Sequence, residues 1–278
     1  MANNTTINSE LFQQLLVQSQ YALYENSIAR SVTTVFDYPV GAGKVVSVPI
    51  WAGITSSKPG EGTAPAAADT NTNSKTITLA EHVVFAEVTD FLRDSAQESV
   101  IQGLANQSGL ALAEGLDKEL MALFLDAAVT QEVGTANTDN SIQDIMKAAA
   151  RIRSNKYTGP LFAILHPNQA YGIKAALTGT AALAATNLQN RALDAQFVGT
   201  ISGVQVFESA LVTVDGASDA SGCVFAPGAF GLAQRGGVTM EEQRNAAKRS
   251  TDVVLTAVAG CGVLRPEMAV RIYGDATL

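Results

Sequence analysis

The sequence predicts a mixed α+β chain built on one long helix, with strand-rich segments on both sides of it. From Asp94 to Asp126 there is no proline, and apolar residues recur at helical spacing. Before that stretch, the strand-like runs KVVSVPIWAGI and TITLAEHVVFAEVT flank about twenty residues of Gly, Pro, Ala, Thr, Asn and Ser. After it, short helices and strands alternate until two β-rich runs, GGVTMEEQR and DVVLTAVAGCGVL, pair through the turn NAAKRST.

The long stretch organises the rest. Asp94, with Gln97 three residues on, forms a loose capping box. The apolar stripe runs through Val100, Ile101, Leu104, Ser108, Ala111, Leu112, Gly115, Leu116, Leu120, Leu123, Phe124 and Ala127. Glu98, Gln107, Asp117 and Glu119 fall on the other faces. A helix over the whole stretch would be about 50 Å long. Gly103, Gly109 and Gly115 each cost about 1 kcal/mol of helix propensity, so packing along its length has to hold it.

The remaining elements follow in order. Residues 1–8 are polar, and Ser9 caps a short helix with Leu11, Phe12, Leu15, Leu16 and Leu23 on one stripe. No mate for this face is evident in the chain, so Leu11, Phe12, Leu15 and Leu16 are candidate contacts with another subunit. The twenty-residue segment between the two strands far exceeds a hairpin loop of about two to five residues. It reads either as a disordered surface loop or as the end of a two-stranded arm ordered by a partner, because isolated ribbons are marginal in water. Lys58, Glu61 and Lys75 of this arm are further candidate inter-subunit contacts. Beyond the long helix, Ser141 opens a second one (Ile142, Ile145, Met146, Ala149, Ile152) that ends at Gly159-Pro160. Leu161 to Leu165 is a strand, and HPNQAYGIKAAL restarts a helix with Pro167 in its first turn. Residues 178–195 read as a loop, GTISGVQVFES as a strand pair around a glycine turn, Gly222 to Ala226 as a strand, and APGAFGLAQ as a short helix. Arg265-Pro266-Glu267 breaks the final hairpin before the last strand, MAVRIYG.

Composition narrows the function classes. The 278 residues are 47% hydrophobic and only 16% charged, so much of the surface is neutral, as suits a surface covered by other subunits. A net charge of -8 argues against a protein that grips nucleic acid through its phosphates. Cys223 and Cys261 lie in apolar runs and read as buried thiols without a disulfide framework. The N-terminus MANNTTINSE is polar and no apolar run approaches about 18 residues, so neither a signal peptide nor a membrane span is expected.

Catalytic and ligand motifs are broken where they occur. VGAGKVV has Tyr38 in place of the first phosphate-loop glycine and Val45 after the lysine, and a strand follows. DTNTNSKTITLAE has Asp69, Asn71 and Asn73 at calcium-loop spacing, but Ser74 replaces the glycine and Ala80 the closing glutamate. His82 stands alone on a strand and His166 precedes a proline, so both read as structural. Arg151, Arg153 and Lys156, like Arg244, Lys248 and Arg249, read as solvated faces. No catalytic, metal or cofactor site emerges, and the chain reads as a non-enzyme with no cofactor.

The element order resembles the HK97-type major capsid proteins of tailed bacteriophages. The local matches are LANQSGLALAEGLDKELMALF, FAILHPNQAYGIKAAL and VTMEEQRNAAKRSTDVVLTAVAGCGVLRPEMAVRIYG. The resemblance implies an HK97-like α+β fold with an N-terminal arm at 1–35 and an extended β-hairpin E-loop region at 36–88. A peripheral domain would cover 89–130 and 236–265, its spine helix on a β-sheet, with an inserted α+β axial domain at 131–235 and 266–278. It also implies self-assembly, as hexamers and pentamers, into an icosahedral head shell around double-stranded DNA held without sequence-specific contacts. A separate scaffolding protein, a portal and decoration proteins are the implied partners, with no membrane. The implied location is the virion capsid, assembled in the host bacterial cytoplasm. Some such shells join a lysine to an asparagine; Lys58 and Lys75 lie in the arm, but no partner is marked and no crosslink is predicted. Two other classes stay open: an encapsulin-like cellular nanocompartment, distinguished by its cargo, and an enzyme without a recognisable motif, which a deep polar pocket would favour.

Overall fold

A computed structural model describes residues 15–23, 26–41, 43–51, 72–91, 98–179 and 197–277, together with positions 56, 58, 60–62 and 64. The described strands form three sheets. One has four strands in the order β1 (Thr34–Asp37), β10 (Phe230–Asn245), β11 (Ser250–Val263) and β4 (Ala80–Thr89). A second has six: β5 (Glu132–Gly134), β12 (Ala269–Asp275), β9 (Asp219–Phe225), β6 (Leu161–Leu165), β8 (Val204–Glu208) and β7 (Phe197–Ile201). The third is a ribbon of β2 (Val45–Trp51) and β3 (Thr72–Thr78).

The spine helix spans Glu98–Ala122 and tightens into a 3-10 turn at Leu123–Leu125. Its 25 residues span roughly 38 Å. The expected cap at Asp94 and Gln97 lies outside the described residues, as do the side chains of Val100 and Ile101. The buried face runs Ala105, Ser108, Gly109, Leu112, Ala113, Leu116, Asp117, Leu120, Met121 and Phe124. This overturns three expectations. Ala111 is exposed, Ala127 is exposed beyond the end of the helix, and Asp117, expected on an outer face, is buried at 4% exposure. Ala and Gly carry little hydrophobic signal, so apolar periodicity drew the stripe through larger residues one step away. The face packs on Leu232, Val253, Leu255 and Ala257 of the four-stranded sheet. Gly109 is needed for close approach: a Cβ there would sit 2.4 Å from the Ser19 carbonyl oxygen.

The six-stranded sheet carries its own core, in which Ile145 and Ile152 of helix Ile142–Ser154 pack on Leu161, Val206, Val270 and Ile272. That helix starts as expected: Ser141 Oγ and N both donate to Asp144 Oδ2, at 2.7 and 3.0 Å. The two-residue turn between β7 and β8 places Ser202 and Gly203 at φ 52 and 80, the left-handed pair a tight hairpin demands. Residues 180–195 of the expected loop lie outside the described residues, whereas 178 and 179 belong to helix Pro167–Gly179.

APGAFGLAQ is not a helix. Ala226 to Ala229 is a turn closed by Ala229 N to Ala226 O at 2.8 Å, and Phe230 already pairs with Val263 in β10. Phe230 and Leu232, two residues apart on one face of the strand, reach two different cores along its length. The short parallel strand β5 and the short helix Ile28–Val32 were also missed by sequence patterning. The two larger sheets meet at three fully buried rings. Phe225 and Phe230 stand edge-on at 5.1 Å between centroids, and Phe124 from the end of the spine lies 5.9 and 5.7 Å from them.

Candidate assembly surfaces

The arm is firm at its root. Val46, Ile77 and Leu79 are buried with Ala233 and Leu264, and Leu79 N donates to Lys44 O at 2.9 Å. Alternation along the ribbon then divides its faces. Val46, Val48 and Ile50 turn toward the root core, and Val45, Pro49 and Trp51 toward solvent, across from Thr78, Ser74 and Thr72. Trp51, the single tryptophan of the chain, is 63% exposed. Of the expected contact residues, Lys58 and Glu61 are exposed, and so is Lys75 opposite Val48 on β3. Most of the segment between Trp51 and Thr72 lies outside the described residues.

The N-terminal candidates divide. Leu11 and Phe12 lie outside the described residues. Leu15 is 3% exposed and Leu16 half-buried, packed with Leu23 on Ala105, Leu112, Leu116 and Val238 of the same chain. The premise that this face has no mate within the chain is therefore wrong for Leu15 and Leu16. Their mates are spine residues together with Val238 of the sheet, a pairing distant in sequence that local patterning does not mark.

Asp117 then fixes the direction of the arm. Its carboxylate accepts hydrogen bonds from Ser27 Oγ at 2.9 Å, Ile28 N at 3.0 Å and Ala29 N at 2.8 Å. It thus caps, from another element, the N-terminus of helix Ile28–Val32. Burial outweighs these bonds and raises the carboxyl above the usual aspartate value. From there β1 adds in parallel to β10, and Arg30 Nη1 reaches Gln234 Oε1, which in turn is linked through its amide to Asp37. The signal in the sequence was faint: one aspartate in a stripe of otherwise small and apolar residues.

The four-stranded sheet leaves one face uncovered by the spine. Along β4, His82, Val84 and Val88 face the helix, where His82 Nε2 sits 3.3 Å from Glu119 Oε1, while Val83 and Phe85 face away. Both are more than half exposed. At the far end, Arg244 forks onto Asp90 at 2.9 and 2.7 Å, Ser250 Oγ donates to Glu87 at 2.6 Å and Lys248 lies 3.5 Å from the same carboxylate. Arg244 and Lys248 thus tie the hairpin tip to β4 rather than forming the simple solvated face expected.

Reactive groups are not gathered. Among the described residues no group of three His, Cys, Asp or Glu is placed to hold a metal ion, and no helix is long and apolar enough to cross a membrane. Burial pushes the thiols of Cys223 and Cys261 well above their ordinary value. An open groove between the spine and the six-stranded sheet has Asn26, Leu110, Glu114, Glu208 and Leu211 among its described lining, and Glu208 there pairs with Lys174 at 3.0 Å.

The profile of one family, phage capsid protein, matches residues 72–272, from β3 into β12. The chain belongs to the phage capsid protein family. No curated protein matches its sequence. Solved capsids share the fold at low identity. The capsid of Ralstonia phage GP4 aligns with a TM-score of 0.68 at 13% identity, covering 88% of this chain and 87% of that one. The capsid of cyanophage P-SCSP1u gives 0.66 at 19%, covering 90% and 89%. An encapsulin, the SrpI complex of Synechococcus elongatus, gives 0.63 at 15%, covering 90% and 88%. The capsid protein thus has an HK97-type α+β fold, with the spine helix on its sheet.

Proposed function

We propose that this capsid protein is the repeating subunit of a tailed-phage head, closing an icosahedral shell of hexamers and pentamers around double-stranded DNA. The family match over residues 72–272 carries the reading. The subunit's anatomy supports it. The arm leaves its root with an exposed tryptophan, and a sheet face beside it is uncovered, as repeated contacts between identical subunits require. In domain terms, the spine with the four-stranded sheet is the peripheral domain and the six-stranded sheet the axial domain. On this assignment the peripheral domain also takes in 34–37, 80–89 and 230–235, beyond 89–130 and 236–265. A separate scaffolding protein, a portal and decoration proteins complete the particle, which assembles in the bacterial cytoplasm. The net charge of -8 keeps the shell from adhering to its packaged DNA.

Electron microscopy and sedimentation of the purified protein, with and without scaffolding protein, test this. Closed hollow particles are expected; monomers or dimers alone under every condition would refute it. The likeness to an encapsulin favours one second reading, a cellular compartment of the same fold. Particles that hold an enzyme cargo and no DNA, by mass spectrometry and nuclease digestion, would select it.

A further inference from the structure

We propose that the Asp215-Gly216 pair is a latent site of spontaneous aspartyl isomerisation, held shut in the folded subunit by the hydroxyl of Tyr273.

The reactivity belongs to the dipeptide. The backbone nitrogen of the glycine attacks the aspartyl Cγ, an N–C bond forms, and the N–H proton leaves with the carboxyl OH as water. The product is a five-membered succinimide. Water then adds to one of its two carbonyls, and opening at the α-carbonyl leaves the chain running through the side chain as isoaspartate. No oxidant or cofactor enters the balance. Glycine favours the attack because it has no Cβ to crowd the approach. Asp215-Gly216 is the only Asp-Gly pair among the 278 residues, and the sequence has no Asn-Gly pair.

The pair lies on an exposed turn, where a Cβ added at Gly216 would meet nothing within 4 Å. Exposure alone would leave it reactive, yet every polar group of Asp215 is engaged. Its N–H donates to Asp219 O at 2.8 Å, and its carbonyl accepts from Ser218 N at 3.2 Å. Oδ1 accepts from Ala217 N at 2.9 Å and from Asp219 N at 3.0 Å, an Asx turn. Oδ2 accepts from Tyr273 Oη at 2.5 Å. Tyr273 stands on β12 two positions before Asp275, which pairs with Asp219, and Ala276 N donates to Ser218 O at 2.9 Å. The six-stranded sheet, and not the turn alone, therefore holds the carboxylate.

This clamp opposes both requirements of the reaction. Cγ has to swing over Gly216 N, which breaks the bonds at both carboxylate oxygens. The carboxyl also has to carry a proton for water to leave. The Tyr273 hydroxyl, and after it the Asp219 N–H, holds Asp215 below the usual aspartate range and so keeps it ionised. The same bond pushes Tyr273 up to about 12, so the donor keeps its proton at neutral pH. Isomerisation then waits on local opening of the turn away from β12. Its product would lengthen the backbone by a methylene between buried Val212 and β9, and would remove the acceptor that closes the turn. Tyr273 acts as a positioning residue.

Folded wild type, folded Tyr273→Phe and both chains in urea are held at neutral pH, and isoaspartate at position 215 is followed by peptide mapping with isoaspartyl methyltransferase labelling. In urea the two chains should isomerise equally fast. Folded wild type should be slower by roughly tenfold or more, because opening precedes attack. Folded Tyr273→Phe should run several-fold faster than folded wild type at an unchanged melting temperature. Folded wild type that keeps pace with its urea-unfolded chain overturns the protection, and folded Tyr273→Phe at the wild-type rate overturns the role of the hydroxyl. If Tyr273→Phe does not fold, wild type in graded sub-denaturing urea decides. Its isomerisation should rise in step with hydrogen exchange at the Ala217 and Asp219 amides, and a rate indifferent to their opening overturns the proposal.

Discussion

Replacing Asp117 by Ala should detach the N-terminal arm from the spine while leaving the two large sheets folded. The substitution strips the acceptor from three donors and leaves the buried Ala29 N–H without a partner. Loss of an N-cap costs about 0.5–2 kcal/mol and an unsatisfied buried donor about 1–3 kcal/mol. Part of this is offset because the carboxylate no longer has to be desolvated, the largest influence on its titration. A net loss of about 2–3 kcal/mol is expected, or about 5–10 °C in melting temperature for a chain of this size. Thermal unfolding of the unassembled subunit measures the total, and hydrogen exchange at Ile28 and Ala29 localises it. The pH dependence supplies a second check. Asp117 is raised above its ordinary value in the folded state, so the folded chain binds that proton more tightly than the unfolded chain. Its contribution to stability therefore grows as pH falls through the raised value toward the unfolded value near 4. The advantage of wild type over Asp117→Asn, whose amide does not titrate, should widen over that window. An Ala variant within about 0.5 kcal/mol of wild type with unchanged exchange at Ile28 and Ala29, or an Asn variant that gains on wild type with acid, would refute the capping role.

Three further outcomes are expected. Phe124→Ala opens the joint between the sheets, where all three rings are fully buried, and should cost about 3–5 kcal/mol in denaturant unfolding of the subunit. Gly109→Ala gains about 1 kcal/mol of helix propensity yet places a Cβ 2.4 Å from Ser19 O; it should destabilise by about 1–3 kcal/mol and open residues 15–23 to proteolysis. Replacing residues 58–74 by an Asn-Gly turn should leave subunit melting unchanged, because the root core of Val46, Ile77 and Leu79 is retained, while particle yield falls. A subunit that melts well below wild type would place that segment in the core.

Sequence patterning found the features whose period is carried by large apolar residues or by turn chemistry. The helix opened by Ser141 and Asp144, the Ser202-Gly203 turn and the break at Pro266 are of that kind. It failed where small residues do the packing. Gly109, Ala105 and Ala113 define the real buried face of the spine, yet only a tertiary contact such as Ser19 against Gly109 reveals it. The same blindness left the helix 15–23 without a visible mate. APGAFGLAQ failed differently: its Phe and Leu feed two separate cores from one face of one strand, a distinction local propensity cannot make.

The segment AEHVVFAEVT shows what a strand reading alone leaves unsaid. It has apolar residues at both parities: Val84 and Val88 under the spine, Val83 and Phe85 on the other face. A strand with one solvated face normally alternates apolar and polar. The spine covers one face in the subunit, and Glu81 and Glu87 flank Val83 and Phe85 on the other. The acids around Phe85 keep the free subunit from sticking through an exposed apolar strip.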